Sequence, residues 1–323
     1  MSGTSRVVVA LLVGGVFAAG TLSARAQDYP NKPIRFVVAG APGVAPDIVA
    51  RLLAAELSTS IGQQVVVENK PGAGQLIGFE YVAKQVPADG YTLLLTDVSA
   101  LALLPVIAKG LRFDPLKDLP PVIGFAEGRL LLAMSSQLPW KTFNELVAHL
   151  KANPGKLNYG ASAPANRFPT IAVLRGLSLD ATYVGFSNGG AYMQAIIGGT
   201  VQMGTISEGT ATVGGEKLRI LAITGEQRHP TTYRDVPTFA EVGLPGIPGL
   251  TYAVNVPLGT PEPVIGRIYA AASRALQSPD AKARFAKVGW DVIDRKPDAI
   301  AKMIAEQGRF FADVAKKAGI QPE

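Results

Sequence analysis

Two histidines, His149 and His229, are all the imidazole that this 323-residue chain offers for acid–base or metal chemistry, and it has no cysteine. Thiol nucleophiles and thiolate metal sites are therefore excluded. His149 sits in a charged amphipathic stretch and His229 lies between Arg228 and Pro230, so both are expected to face solvent. A Ser/His/Asp triad or a two-histidine metal site would have to draw on this pair. No Gly-x-Ser-x-Gly elbow and no phosphate-binding Gly-Lys-Ser/Thr loop occurs. Gly72-x-Gly74-x-x-x-Gly78 stands between a strand-like and a helix-like run, as a dinucleotide fingerprint does, and Asp97 closes the next strand. Its spacing is one residue too long for that fingerprint. Glycines that let the backbone approach a neighbour or a ligand explain the run more simply. Acids such as Glu208 and Asp97 could meet across a cleft, or Glu208 could face water. Asp47, beside Pro46, is first a favourable charge at a helix N-terminus. The residue types favour binding over catalysis, with no cofactor and no metal.

The elements that must position these residues alternate in type. Ile34–Val38, Val65–Glu68 and Thr92–Thr96 are short apolar runs that read as strands. Between them, Pro46–Ser60 carries Ile48, Leu52, Leu53 and Leu57 at helical spacing, and Leu76–Gln85 forms a second helix. Strands of this kind with helices between them predict parallel pairing, buried on both faces. A second set follows, with strands at Leu130–Met134, Leu157–Tyr159, Ala181–Val184, Val201–Met203 and Leu218–Ala222. Its helices are Thr142–Ala152, Phe168–Arg175 and Gly190–Ile197. After a Pro- and Gly-rich stretch, two long amphipathic helices, Pro263–Leu276 and Pro297–Ala318, suggest a return to pack on the first set. The class is α/β.

In open α/β sheets ligands sit beyond the carboxyl ends of strands, where helix N-termini offer unpaired N–H groups suited to anions. The candidate ligand residues are therefore Gly40, Ala41, Pro42, Gly43, Val44 and Asp47 in the first loop, then Gly74, then Asp97 and Ser99. The second set adds Ser162, Asn166 and Arg167, then Phe186, Ser187, Asn188 and Gly189, then Ser207 and Glu208.

The N-terminus carries a separate signal. Arg6 precedes an uncharged apolar run from Val7 to Leu22, followed by Ala24-Arg25-Ala26. This is the grammar of a secretory signal peptide cleaved after Ala26, and predicts export to the periplasm. The run is shorter than the roughly 20 residues of a membrane span and is broken by Gly14, Gly15 and Gly20. The net charge of +6 falls to +4 once Arg6 and Arg25 leave with the leader. The remaining cations are scattered, without the basic, aromatic-interleaved runs of nucleic-acid binding.

Seven stretches in order carry a family resemblance: Tyr29-Pro30-x-Lys32-Pro33-Ile34-Arg35; Ala41-Pro42-Gly43 with Asp47; Val66-Val67-Glu68-Asn69-Lys70-Pro71-Gly72-Ala73-Gly74; Asp89-Gly90-Tyr91-Thr92-Leu93-Leu94; Phe113-Asp114-Pro115-Leu116-Lys117-Asp118; Ala152-Asn153-Pro154-Gly155-Lys156-Leu157-Asn158-Tyr159-Gly160; and Asp235-Val236-Pro237-Thr238-Phe239-Ala240-Glu241. Over essentially the whole mature length the chain resembles the Bug-type (Bordetella uptake gene) receptors of tripartite tricarboxylate transporters. The resemblance implies a two-lobed, type II-like Venus-flytrap periplasmic-binding fold, each lobe a mixed, mostly parallel sheet flanked by helices. It implies a signal peptide at 1–26, one discontinuous lobe at 27–125 and 252–323, and a second lobe at 126–251, with crossings near Phe125 and Thr251. A small organic carboxylate would be held between the loops at Pro42–Asp47 and Phe186–Gly190 and passed to a membrane permease with one large and one small subunit. The receptor would act as a monomer; a sensory co-receptor for a kinase, and then an exported enzyme, are the alternatives.

The departures cluster in the expected cleft. Val44 and Pro46 replace flexible and hydroxyl-bearing positions, Ala163-Pro164-Ala165-Asn166 replaces a Gly-x-Gly-Ser loop, Phe186-Ser187-Asn188 lacks a lysine, and Ile206 stands where the family has Asp. These changes suggest an acid with a larger apolar or aromatic body touching Val44, Phe168, Phe186 or Tyr192, if those side chains are not core, with Arg167 as a bidentate partner for a second anionic group.

Overall fold

The computed structural model describes residues 29–322, so the leader and its cleavage after Ala26 lie outside the described residues. The chain opens with β1 (Ile34–Val38), α1 (Ala45–Ile61), β2 (Val65–Asn69), α2 (Leu76–Lys84), β3 (Thr92–Asp97) and α3 (Val98–Ile107). β4 (Pro121–Gly128) leads, with only Arg129 between, into β5 (Leu130–Ser135) of a second sheet. There follow α4 (Phe143–Ala152), β6 (Asn158–Ala161), α5 (Pro164–Gly176), β7 (Thr182–Gly185), α6 (Gly189–Ile197), β8 (Gly204–Ser207), α7 (Glu208–Gly214) and β9 (Leu218–Ile223). The return comprises β10 (Leu250–Asn255), α8 (Glu262–Leu276), α9 (Pro279–Lys287), β11 (Asp291–Arg295) and α10 (Pro297–Ala318).

The first sheet runs β11-β4-β10-β3-β1-β2 and the second β8-β5-β9, with β6-β7 as a parallel pair beside β8 through the Tyr159–Met203 bridge. β1 lies parallel to β2 and β3, as the alternating pattern predicts. The expectation of mostly parallel sheets is corrected elsewhere: β10 runs antiparallel to β3 and β4, β11 antiparallel to β4, and β5 antiparallel to β8 and β9. The reason is connectivity. The crossing strands enter each sheet from the other lobe instead of through a right-handed helical crossover, so nothing forces them parallel.

Local chemistry sets the helix ends. α1 has Pro46 in its first turn, where a missing N–H costs nothing, and stops at Gly62, whose left-handed φ of 79° lets its N–H reach Ser58 O. α8, α9 and α10 also begin with proline in the first turn. α3 was not expected as a helix because it is apolar on every side and buried from Val98 to Leu104, leaving no amphipathic period to read. α5 begins at Pro164, not at Phe168, since its first turn is polar. The strand expected at Val201–Met203 forms at Gly204–Ser207.

α10 packs on α3 of the first lobe and α5 of the second. Phe311 meets Phe168 edge to face at 5.8 Å, and Ser99 Oγ donates to Gln307 Oε1 at 2.8 Å. At the centre of the first sheet, buried Asn255 of β10 accepts from Thr96 Oγ1 and donates to Leu119 O, each at 2.6 Å. Asn255→Ala orphans Leu119 O and leaves Thr96 Oγ1 only its longer hydrogen bond, at 3.4 Å, to Ala253 O, and a buried polar atom left unpaired costs about 1–3 kcal/mol. Chemical denaturation of the variant should show a loss of that order or more; unchanged stability would contradict this role.

Candidate functional site

A cleft of about 650 Å3 opens between the two sheets. From the first lobe it is lined by Gly43, Ala45 and Ile48 at the start of α1, and by Lys287, Val288, Gly289 and Trp290 between α9 and β11. From the second lobe come Gly189, Gly190 and Met193 of α6, Ser207 to Thr210 at the start of α7, Val213 and Thr232.

Two helices thus aim their N-termini at one space. At α1 the N-cap is Val44, which has no side chain to accept an N–H. At α6, Asn188 Oδ1 accepts only Ala191 N–H, at 2.9 Å. The N–H groups of Ala45, Gly189 and Gly190 donate to nothing among the described residues. Such ends carry partial positive charge. Lys287 adds a full charge and has no ion-pair partner among the described residues.

Asp47 shapes this apparatus from behind. One carboxylate oxygen accepts Gly43 N–H at 2.9 Å and the other Asn69 Nδ2 at 3.0 Å, and Arg51 pairs with both. The Arg51 hydrogen bond, reinforced by Gly43 and Asn69 against the opposing effect of burial, holds its carboxyl down to about 2. Its oxygens are committed to the loop, so Asp47 folds Gly40–Gly43 into place without itself lining the cleft.

The second wall overturns the expectation for His229, which is 9% exposed. Its Nδ1 accepts the N–H groups of Thr231 and Thr232 at 3.1 and 3.0 Å, and its Nε2 lies 2.9 Å from Glu208 Oε1. Glu208 is therefore neither simply solvated nor paired with Asp97. His149 is half-buried and packs on Trp140 at 4.4 Å. The lobes touch at a glycine seam: a Cβ on Gly289, whose φ is +81°, would sit 3.0 Å from Gly209 N.

Of the candidate residues, Gly43, Gly189, Ser207 and Glu208 line the cleft, and Gly40, Ala41, Pro42, Val44, Ser187 and Asn188 lie in the adjoining loops. The others go elsewhere. Gly74 sits in an exposed tight turn. Asp97 caps α3, accepting Ser99 N–H at 2.9 Å, and Ser99 is buried against Gln307. Ser162 and Asn166 bond to each other, and Asn166 Oδ1 accepts Ala163 N–H within the start of α5. Arg167 stacks on Tyr183 at 3.9 Å and lines a separate cavity of about 160 Å3, so it is no cleft cation. Phe168 and Tyr192 are core, each 1% exposed, and Phe186 packs on Tyr192. Lys287, Trp290, Met193 and Thr232 were missed, because no local motif marks them; only the return of the chain brings Lys287 and Trp290 to the cleft. Among the described residues no three His, Asp or Glu gather as a metal site, and no helix is long and apolar enough to cross a membrane.

Residues 49–320 match the model of the tripartite tricarboxylate transporter family receptor. The chain belongs to that family. It is 33% identical to BugT of Bordetella pertussis, with 91% of each chain covered. It superimposes on an R. palustris protein solved with adipate at TM-score 0.81 and 28% identity, covering 92% of this chain and all (100%) of that one. MatC of Rhodopseudomonas palustris, solved with bound malate, gives 0.76 and 30%, covering 88% and 99%. The receptor family has the two-lobed periplasmic-binding fold expected from the sequence. Membership implies a periplasmic solute receptor working with membrane components, not an enzyme.

Asp97, the candidate that became a helix cap, has a measurable consequence. Burial raises its carboxyl to about 6, against the opposing pull of the Ser99 and Ala100 N–H groups. The unfolded value is about 3.9, so the folded chain holds this proton longer. Its contribution is full below about pH 4 and is lost as pH rises to about 6. Asp97→Asn keeps a capping oxygen and removes the titration, so the variant should gain melting temperature on the wild type between pH 4 and pH 7. A difference independent of pH would refute this reading.

Proposed function

We propose that this receptor captures a small organic carboxylate in the interlobe cleft and delivers it, chemically unchanged, to a permease with one large and one small membrane subunit. The observation that carries the reading is the convergence of two helix N-termini, from α1 and α6, on one cleft from opposite lobes. Hydrogen bonds to an ionised group are roughly twice as strong as neutral ones, so backbone N–H groups with Lys287 suffice to hold a carboxylate. The adipate- and malate-bound relatives support that ligand class. Ile48, Met193, Val213 and Trp290 in the lining support an acid with a bulkier, aromatic or aliphatic body than the usual small dicarboxylate. His229 supports the absence of chemistry, since both ring nitrogens are engaged and neither is available as a base for Ser207. In this reading residues 1–26 are removed on export to the periplasm, 27–125 with 252–323 form one lobe, 126–251 the other, and the receptor is a monomer.

A thermal-shift panel of mono-, di- and aromatic carboxylates on the chain from Gln27 tests this. A ligand at 100 times its Kd adds about 2.7 kcal/mol, so at least one acid should raise the melting temperature by several degrees and be recovered intact. A flat panel, or a chemically altered ligand, would overturn the proposal.

A further inference from the structure

We infer that the ligand carries, besides its carboxylate, a hydrogen-bond donor such as a hydroxyl or an ammonium, and that Glu208 receives it. The inference rests on the receptor reading above and names the substrate class of the same cleft.

Glu208 is an anion in the wall of a cleft that otherwise suits anions. Its neighbours do not cancel it. Because two backbone N–H groups point at His229 Nδ1, that nitrogen is the acceptor and the ring proton resides on Nε2. The neutral imidazole therefore donates to Glu208 Oε1 at 2.9 Å and leaves the carboxylate charge in place. Arg129 is the one cation paired with Glu208 among the described residues, and it is shared. Its Nη1 donates to Asp291 Oδ2 at 3.0 Å and stands 3.9 Å from Glu208 Oε2, beyond hydrogen-bond reach. Ser207 Oγ and Thr210 Oγ1 bond to each other at 2.8 Å, so neither is committed to Glu208. Two carboxylates thus share one guanidinium, and Glu208 Oε2 keeps acceptor capacity on a cleft-lining residue.

A ligand hydroxyl or ammonium satisfies that oxygen. A second ligand carboxylate would meet a like charge, a repulsive element of the kind that sets specificity. The carboxylate of the ligand goes to the α1 and α6 termini, and the donor distinguishes this receptor from one built for dicarboxylates.

Calorimetric titration of the mature chain with two matched trios tests the inference: benzoate, 4-hydroxybenzoate and terephthalate, and hexanoate, 6-hydroxyhexanoate and adipate. In at least one trio the hydroxy acid should bind tenfold or more tighter than the diacid. Glu208→Gln, which keeps an oxygen for His229 Nε2–H, should cut that ratio to threefold or less, chiefly by improving the diacid; its melting temperature reports that the fold is intact. Diacids that bind the wild type as tightly as the hydroxy acids, or a ratio unmoved by Glu208→Gln, overturn the inference and leave the receptor reading standing. No binding by any of the six acids counts against both.

Discussion

The insertion of β10 between β3 and β4 is the constraint on which the architecture turns. An antiparallel strand arriving from the second lobe completes the first sheet and brings the rest of the chain back with it. Asn255 fixes that strand with two buried hydrogen bonds. Everything after it, α8 through α10, then has a defined place: α8 against α1, α10 across α3 and α5, and the α9–β11 turn against the start of α7. The cleft exists because this return closes the far side of the two sheets and leaves the strand-end loops facing each other.

The site follows from what helix starts cannot do for themselves. The first N–H groups of a helix have no partner inside it, and here Val44 and the glycines after Asn188 do not supply one. Asp47, by contrast, is saturated by Gly43, Asn69 and Arg51, so its charge stiffens the loop without repelling an incoming anion at the cleft surface. In the proposed reading, binding energy comes from backbone, which tolerates side-chain change. In that reading, Val44 can stand at the N-cap of α1 without loss of the backbone donors.

The sequence made the frame of the first lobe legible because β1, β2 and β3 are short β-branched or aliphatic runs, and β1 and β2 are each followed by a turn-rich stretch and an amphipathic helix. α3 escaped because burial on all sides erases periodicity, and the start of α5 because its first turn is polar. In the site, Gly43, Gly189, Ser207 and Glu208 were readable from their position after strands. Lys287 and Trp290 were not, since only the tertiary return brings them to the cleft. His229 escaped for another reason: an arginine and a proline on either side say nothing about a ring that folds back onto Glu208. Arg167 was misread since stacking on Tyr183, a neighbour in space, turns it away.

In the proposed receptor, backbone N–H groups from both lobes grip the carboxylate. Amide-resolved NMR of the 15N-labelled mature receptor, titrated with 4-hydroxybenzoate and with adipate, tests that grip directly. The largest shifts are expected at Ala45, Gly189 and Gly190, moving together with one saturation curve. Shifts confined to one lobe, or centred away from the cleft with these amides unmoved, would contradict it.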